Sequence, residues 1–191
     1  MPPLQSTEIT AGRLHLRPWQ PADADAVLAI CQDPAVQRWT RVPVPYLREH
    51  AESYVGEVSP QAWAAGTAAH FAVLDAVSAR VLASVSLMDV DERDAVAEVG
   101  FWCAADARGR GITAEAVAAV CRWGFAAVGL RRVAWYAEVG NTASRRVAQK
   151  CGFRFECVAR GRLTARGGGQ ADAWQAALLA TDDPVPRGWP V

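Results

Sequence analysis

The residues Arg108-Gly109-Arg110-Gly111-Ile112-Thr113-Ala114 form the stretch of this chain best suited to bind a ligand. They follow an apolar run, Ala97 to Cys103, and lead into a helical pattern, Ile112 to Val128. Two glycines let a backbone turn with positive φ and bring its N–H groups close to a ligand. The first N–H groups of a helix have no partner within it, and the helix dipole adds partial positive charge beside them. Such a strand-to-helix corner binds phosphate, and Arg108 and Arg110 bring full positive charge to its rim. The expected ligand is a pyrophosphate, and two classes supply one. Gly109-x-Gly111-x-x-Ala114 satisfies the loose dinucleotide pattern, with Glu138 ending the next strand at about the 20-residue spacing of a ribose-binding acid. Coenzyme A needs the same amides. A tight turn with two solvated arginines would need no ligand.

The elements around the corner decide between these ligands. Leu14 to Arg17 alternates apolar and polar residues, is stopped by Pro18, and reads as a first strand. Pro21 to Gln32 reads as a helix ended by Asp33-Pro34. Gln37 to Pro45 is proline-rich and irregular, and Tyr46 to Val58 places its apolar residues on one helical face. His70 to Leu74, Val81 to Met88 and Val96 to Cys103 are strands with short connections, Ala76 to Ser78 and the acidic turn Asp89 to Asp94. They form an antiparallel meander. After the corner helix, capped by Gly129, come strand Arg132 to Glu138 and a short helix from Gly140-Asn141 to Lys150. Strand Phe153 to Val158, the turn Gly167-Gly168-Gly169 and a seventh strand, Ala171 to Leu179, follow. In a dinucleotide fold the corner follows the first strand of a βαβ unit. Here it follows the fourth strand, after Ala104-Ala105-Asp106-Ala107, which disfavours that reading.

Bulk properties narrow the class further. A chain of 191 residues with 51% apolar residues is expected to form one domain, residues 1–191, with a core over about 12–182 and a tail over 183–191. A formal net charge of zero argues against nucleic-acid and anionic-membrane partners. No apolar run reaches membrane-spanning length, and Met1 to Gln5 does not resemble a secretion signal. Cys31, Cys103, Cys121, Cys151 and Cys157 are odd in number, scattered and without a CxxC pair. Neither disulfides nor a metal site is expected, and reduced thiols fit a cytoplasmic protein.

With its motifs in order, the chain resembles the GNAT superfamily of acetyl-CoA-dependent N-acetyltransferases. Arg108-x-x-Gly111-x-Thr113 is similar to that family's pyrophosphate motif, except that Thr113 stands where the family has glycine or alanine. Glu98-Val99-Gly100-Phe101-Trp102 resembles the strand before it. Asn141-Thr142-Ala143-Ser144, followed by Lys150-x-Gly152-Phe153, resembles the signature of the branch containing the ribosomal-protein N-terminal acetyltransferases, RimJ/RimL-like. Leu14-x-Leu16-Arg17-Pro18-Trp19 with Asp23 is similar to that branch's opening. The resemblance spans roughly Gly12 to Asp182. It implies an α+β fold, an α/β/α sandwich around a mixed, mostly antiparallel seven-stranded sheet whose fourth and fifth strands splay apart.

The resemblance also implies direct acetyl transfer from acetyl-CoA to a primary amine, with no acyl-enzyme. The thiols then need not be nucleophiles. The backbone of Gly109, Arg110, Gly111, Ile112, Thr113 and Ala114 would hold pyrophosphate, with Arg108 at the rim and a Cβ on Gly111 colliding with the ligand. Phe101, Trp102 and Cys103 would run beside pantetheine. Asn141 is expected to cap its helix and touch the same arm. Ser144 stands where a serine of that branch is proposed to protonate the leaving thiolate. Glu98, on one strand face with Gly100 and Trp102 by period-two alternation, is the expected base, with a pKa raised by apolar surroundings; Glu138 is the alternative. Trp39, Arg41, Tyr46 and Trp102 are acceptor-side candidates by position, with Asp172 a weaker one. His15, His50 and His70 fall in early elements, outside the inferred cleft. Without a histidine base, a protein or peptide N-terminal α-amine is the favoured acceptor, because its lower pKa leaves more free base than lysine. A small amine metabolite, an aminoglycoside or a non-catalytic acyl-CoA sensor are the alternatives. Monomer and homodimer both remain open.

Overall fold

The computed structural model describes residues 4–190; Met1, Pro2, Pro3 and Val191, the outermost residues of the expected N-terminus and tail, lie outside the described residues. One eight-stranded sheet runs through the chain. Its strands are β1 Ile9–Ala11, β2 Leu14–Pro18, β3 Ala69–Asp75, β4 Val81–Asp91, β5 Val96–Cys103, β6 Arg132–Glu138, β7 Arg154–Thr164 and β8 Gln170–Leu179, in the order β1-β2-β3-β4-β5-β6-β8-β7. Seven strands are expected from the sequence. The eighth is β1, three residues that turn through Gly12 (φ 53°) onto β2. A strand this short shows no alternation to read.

Every pairing is antiparallel except β5 with β6. That parallel pairing covers only Val96–Arg132, Ala97–Val133 and Glu98–Ala134. Beyond it, β5 pairs with β4 alone and β6 with β8 alone. The sheet therefore splits directly after Glu98.

Helices cover both faces. On one face α4 (Ser59–Ala65), α5 (Ile112–Trp123) and α6 (Thr142–Lys150) bury Leu14, Phe71, Val85, Val99, Val117, Val120, Trp135 and Phe153. On the other, α1 (Ala24–Cys31), α2 (Pro34–Trp39) and α3 (Arg48–Ser53) bury Trp19, Val27, Val36, Tyr46, Ala51 and Val55. Burying each large aliphatic side chain contributes about 1.5–3 kcal/mol. Strand alternation sends Ala97 and Val99 into the first core and leaves Glu98, Gly100 and Trp102 on the second face.

Three local readings change. Asp33-Pro34 opens α2 rather than only ending α1. Asp33 accepts the N–H groups of Ala35 and Val36, and Pro34 occupies a first-turn position that needs no N–H. The second predicted helix runs on to Ala65 through a π-helical turn, Tyr54–Val58, in which the Ser59 N–H reaches the Tyr54 carbonyl. The wide turn precedes Pro60, which has no N–H to donate. β7 extends past Val158 to Thr164, with register shifts that obscure its period.

The segment after β8 has no regular structure, yet it packs on the first core. Trp189 meets Trp135 and Phe155 with ring centroids 5.3 and 5.7 Å apart, and its indole N–H donates to the Phe153 carbonyl at 2.9 Å. Among the described residues, no helix is long and apolar enough to cross a membrane.

Candidate active site

The glycine corner lies at the open end of the split. Gly109 and Gly111 have φ of 73° and 78°, and nothing in the protein comes within 4 Å of a Cβ built on either. The glycines are thus required by backbone conformation. Gly111 is the N-cap of α5 and no side chain caps the helix, so its first N–H groups, at Ile112, Thr113 and Ala114, are left for a ligand. Arg108 is more than a solvated rim charge. It donates to the Cys103 carbonyl at 3.1 Å and lies 3.2 Å from Asp33, tying the end of β5 to the start of α2. Arg13 donates to the Arg110 carbonyl, holding the loop from the β1–β2 side. The Thr113 hydroxyl is engaged with the Cys103 thiol. Open space, uncapped amides and flanking arginines fit a pyrophosphate.

Across the split, Asn141 caps α6, its Oδ1 accepting the Ser144 N–H at 3.2 Å. Oδ1 is spent on the cap, which leaves the amide nitrogen as the group for a ligand. Ser144 Oγ accepts the indole N–H of the buried Trp135 at 3.1 Å. That bond fills one lone pair and favours the deprotonated oxygen, so it makes the hydroxyl a better donor.

Glu98 sits where β5 and β6 part. Burial pushes its carboxyl above the usual carboxylate range, nearby Asp89 pushes it further, and Arg162 and Arg41 pull it partly back. Asp89 lies on the bulged end of β4 with φ of 50°, a conformation unusual for a residue other than glycine. The bulge places two β4 residues, Asp89 and Val90, opposite one on β5. Beside Glu98, Met88 lies across Gly100, where a Cβ would meet its methyl at 2.5 Å. Glu138 differs from Glu98. Arg38 forks onto it at 2.5 and 3.0 Å, and this hydrogen bonding holds its carboxyl below the usual range. It is engaged in joining α2 to β6, so Glu98 is the stronger base.

The acceptor-side candidates separate. Arg41 is exposed and acts on Glu98. Trp39 is part-exposed, under the Arg38 guanidinium at 4.1 Å and beside Gly140. Trp102 packs on Trp19 at 5.7 Å. Tyr46 is not brought to the cleft: it is 5% exposed in the second core, and burial pushes its hydroxyl pKa far up. Asp172 accepts the Gly161 N–H at 2.8 Å and shapes β7. At the acidic turn, Asp91 accepts the N–H groups of Arg93 and Asp94, an ordinary exposed tip.

One histidine is closer to the split than its place in the chain indicates. His70 pairs in register with Ser86, and Ser86 with Gly100, so a row runs from β3 across β4 to β5. His70 Nδ1 lies 2.8 Å from Ser86 Oγ, and burial lowers its pKa, which keeps the ring neutral. The Tyr54 hydroxyl is engaged with Ser86 of this row and with Ser84 on the same face of β4. Only strand register reveals this row. His15 lies beside Glu8 at the sheet edge, and His50 accepts the Leu47 N–H at the start of α3.

No cysteine is disulfide-bonded among the described residues. Burial raises the Cys31 thiol to about 11 and the Cys151 thiol to about 12, which makes them inert. Cys121 is likewise buried, Cys103 only partly, and Cys157 is exposed on β7. No group of three His, Cys, Asp or Glu among the described residues is arranged to hold a metal.

Residues 13–154 match the family model of the acetyltransferase (GNAT) domain. A Bacillus subtilis protein, YdaF, provisionally named a ribosomal N-acetyltransferase, is 37% identical over 83 residues; the match spans 44% of this chain and 45% of that protein, under half of either. Among solved structures, a GCN5-related N-acetyltransferase from Brucella melitensis superposes with a TM-score of 0.78 at 25% identity, over 94% of this chain and 81% of its own. RimJ from Mycobacterium smegmatis, solved with CoA-disulfide, superposes with a TM-score of 0.80 at 22% identity, over 95% and 90%.

Proposed function

The chain belongs to the GNAT acetyltransferase family, and on that premise we propose that it transfers an acetyl group from acetyl-CoA to the α-amine of a protein or peptide N-terminus. The observation that carries the reading is the split after Glu98, which has a phosphate-binding corner at one side and a carboxyl with a raised pKa at its apex. The amides of the corner would hold pyrophosphate, with Gly109 and Gly111 admitting it. The unpaired inner edges of β5 at Phe101 to Cys103, together with Asn141, would hold the pantetheine arm. Acetyl-CoA supplies the activated thioester carbonyl.

The chain's own groups supply the proton transfers. Glu98 takes the proton of the attacking amine, directly or through water, and its raised pKa brings it closer to that amine. Ser144, polarised by Trp135, donates to the departing sulfur. An α-amine fits this arrangement. Its pKa is near 8 against about 10.4 for lysine, so roughly a tenth is already free base at neutral pH. One carboxylate is then base enough, and His70, on β3 two strands from β5, is tied to Ser86. The cysteines are scattered, and Cys31, Cys121 and Cys151 are buried, which fits a cytoplasmic setting.

The test is thiol release from acetyl-CoA with three acceptor sets: peptides with a free N-terminus, N-blocked peptides carrying lysine, and small amines including aminoglycosides. The expected result is turnover fastest by far with free N-termini, and no competition by NADH. Preference for lysine or an aminoglycoside would overturn the acceptor assignment. Binding of acetyl-CoA without turnover of any amine would leave a sensor domain.

A further inference from the structure

Two arginines converge on Glu98 without a carboxylate of their own. Arg162, on β7, lies with its guanidinium 4.6 Å over the Tyr136 ring. Tyr136 is two residues along β6 from Ala134, the register neighbour of Glu98, and shares its face. Arg41 lies between α2 and α3, in a segment held from both sides. Arg166 donates to the carbonyls of Thr40 at 2.8 Å and Val42 at 2.7 Å, which flank Arg41, and the Arg38 fork on Glu138 ties α2 to β6. The β7–β8 hairpin thus bridges to the segment carrying Arg41, and the two cations are presented on ordered backbone. Both act electrostatically on Glu98.

Neither arginine contacts that carboxylate. Arg17, Arg38, Arg80, Arg108, Arg132 and Arg154 each hold an Asp or Glu within ion-pair distance. Arg41 and Arg162 form no such pair among the described residues. Their charge acts on the base without a direct ion pair to it, so both guanidinium groups keep their donors for a ligand. A guanidinium is built to take a carboxylate with two parallel hydrogen bonds. The two cations also disfavour a protonated amine at Glu98, so an acceptor bringing its own negative charge would be drawn in and its amine deprotonated together.

Building on the acetyltransferase reading, we infer that Arg41 and Arg162 select acceptors that carry a carboxylate a few bonds from the reacting amine. Two sources have that chemistry: an acidic side chain at the second or third position of a peptide N-terminus, and the carboxylate of a free amino acid. Arg162 is steered by Tyr136 and Arg41 by its pinned segment, so both are specificity residues.

The experiment compares kcat/KM for C-terminally amidated peptides that begin Ala-Asp, Ala-Asn and Ala-Lys, alongside free aspartate, in the wild type and in Arg41→Gln, Arg162→Gln and Arg162→Glu. The expected preference for Asp over Asn is about 10-fold or more, the scale of a charge-assisted contact. It should shrink in both Gln variants and reverse toward Ala-Lys in Arg162→Glu. These positions are exposed, and unfolding temperature reports that the fold is kept. Free aspartate turned over best, with the same loss in the Gln variants, assigns the arginines to a small amino acid. Turnover of all three peptides at equal rates, or a preference unchanged by the substitutions, overturns the inference and leaves the acetyltransferase reading standing. No turnover of any amine overturns both.

Discussion

Glu98 and Glu138 are the same residue type on neighbouring strands, yet their surroundings push them in opposite directions. Glu98 is half-buried next to Asp89 and its pKa is raised; Glu138 lies in the fork of Arg38 and its pKa is lowered. A base for an amine must lose its proton at working pH but hold it once taken, which favours the higher value. Glu98→Gln is expected to lower kcat by ~10²-fold or more, with acetyl-CoA affinity nearly unchanged, as measured by steady-state kinetics and calorimetry. With Glu98 as the proposed base, activity is expected to fall as pH drops through that raised pKa. Asp89→Asn removes the repulsion and lowers the Glu98 pKa, so the acidic limb of kcat/KM should move to lower pH. Arg162→Gln removes an attraction, and the limb should move the opposite way. Asn tolerates the positive φ of residue 89, so the first variant should fold. A limb that ignores Asp89→Asn would separate Glu98 from the rate-controlling ionisation.

At the next scale, the corner works because of how β5 meets α5. The protein leaves open space around a Cβ on Gly111, so the constraint is its φ of 78° and the ligand it would face. A left-handed conformation costs an ordinary residue roughly 1–2 kcal/mol, least for Asn and most for a β-branched side chain. Gly111→Val is therefore expected to lower the unfolding temperature by roughly 2–8 °C and to weaken acetyl-CoA binding, with Gly111→Asn milder in both. Equal effects of the two would contradict a backbone origin. The α6 cap is a second junction of this kind, since Asn141 orders the turn that presents Ser144.

The whole molecule holds the split open from two sides. α5 and α6 pack on one face of the sheet through the first core, while α1 to α3 pack on the other through the second. The C-terminal segment takes part, because Trp189 stacks against Trp135, whose indole holds Ser144. Trp189→Ala should cost about 2 kcal/mol, below the value for a fully buried tryptophan because Trp189 is part-exposed. In thermal unfolding this reads as a drop of about 4–8 °C. Loosened Trp135 should also lower kcat more than the KM for acetyl-CoA. An unchanged unfolding temperature would mean the segment is not docked in solution.

Features that depend on a few consecutive residues were legible in the chain itself. Glycines at 109 and 111, an Asn opening α6, and alternation along Val96 to Cys103 each impose a local conformation, and the bounds of β5 and β6 match the structure residue for residue. The order of these elements was enough to separate this fold from a dinucleotide-binding one. Strand β1 and the second half of β7 escaped because one is three residues long and the other is broken by register shifts. Tertiary structure alone decided the electrostatics of the site. The Arg38–Glu138 fork joins residues 100 positions apart, and Arg166 reaches back more than 120 positions to the segment around Arg41. The approach of Asp89 to Glu98 depends on a bulge, and the His70–Ser86 row on strand register. Tyr46 could have faced either way from its helix start and was drawn into the core. Sequence periodicity tells which residues share a face; charge acts through space, and only the packing of distant segments sets those distances.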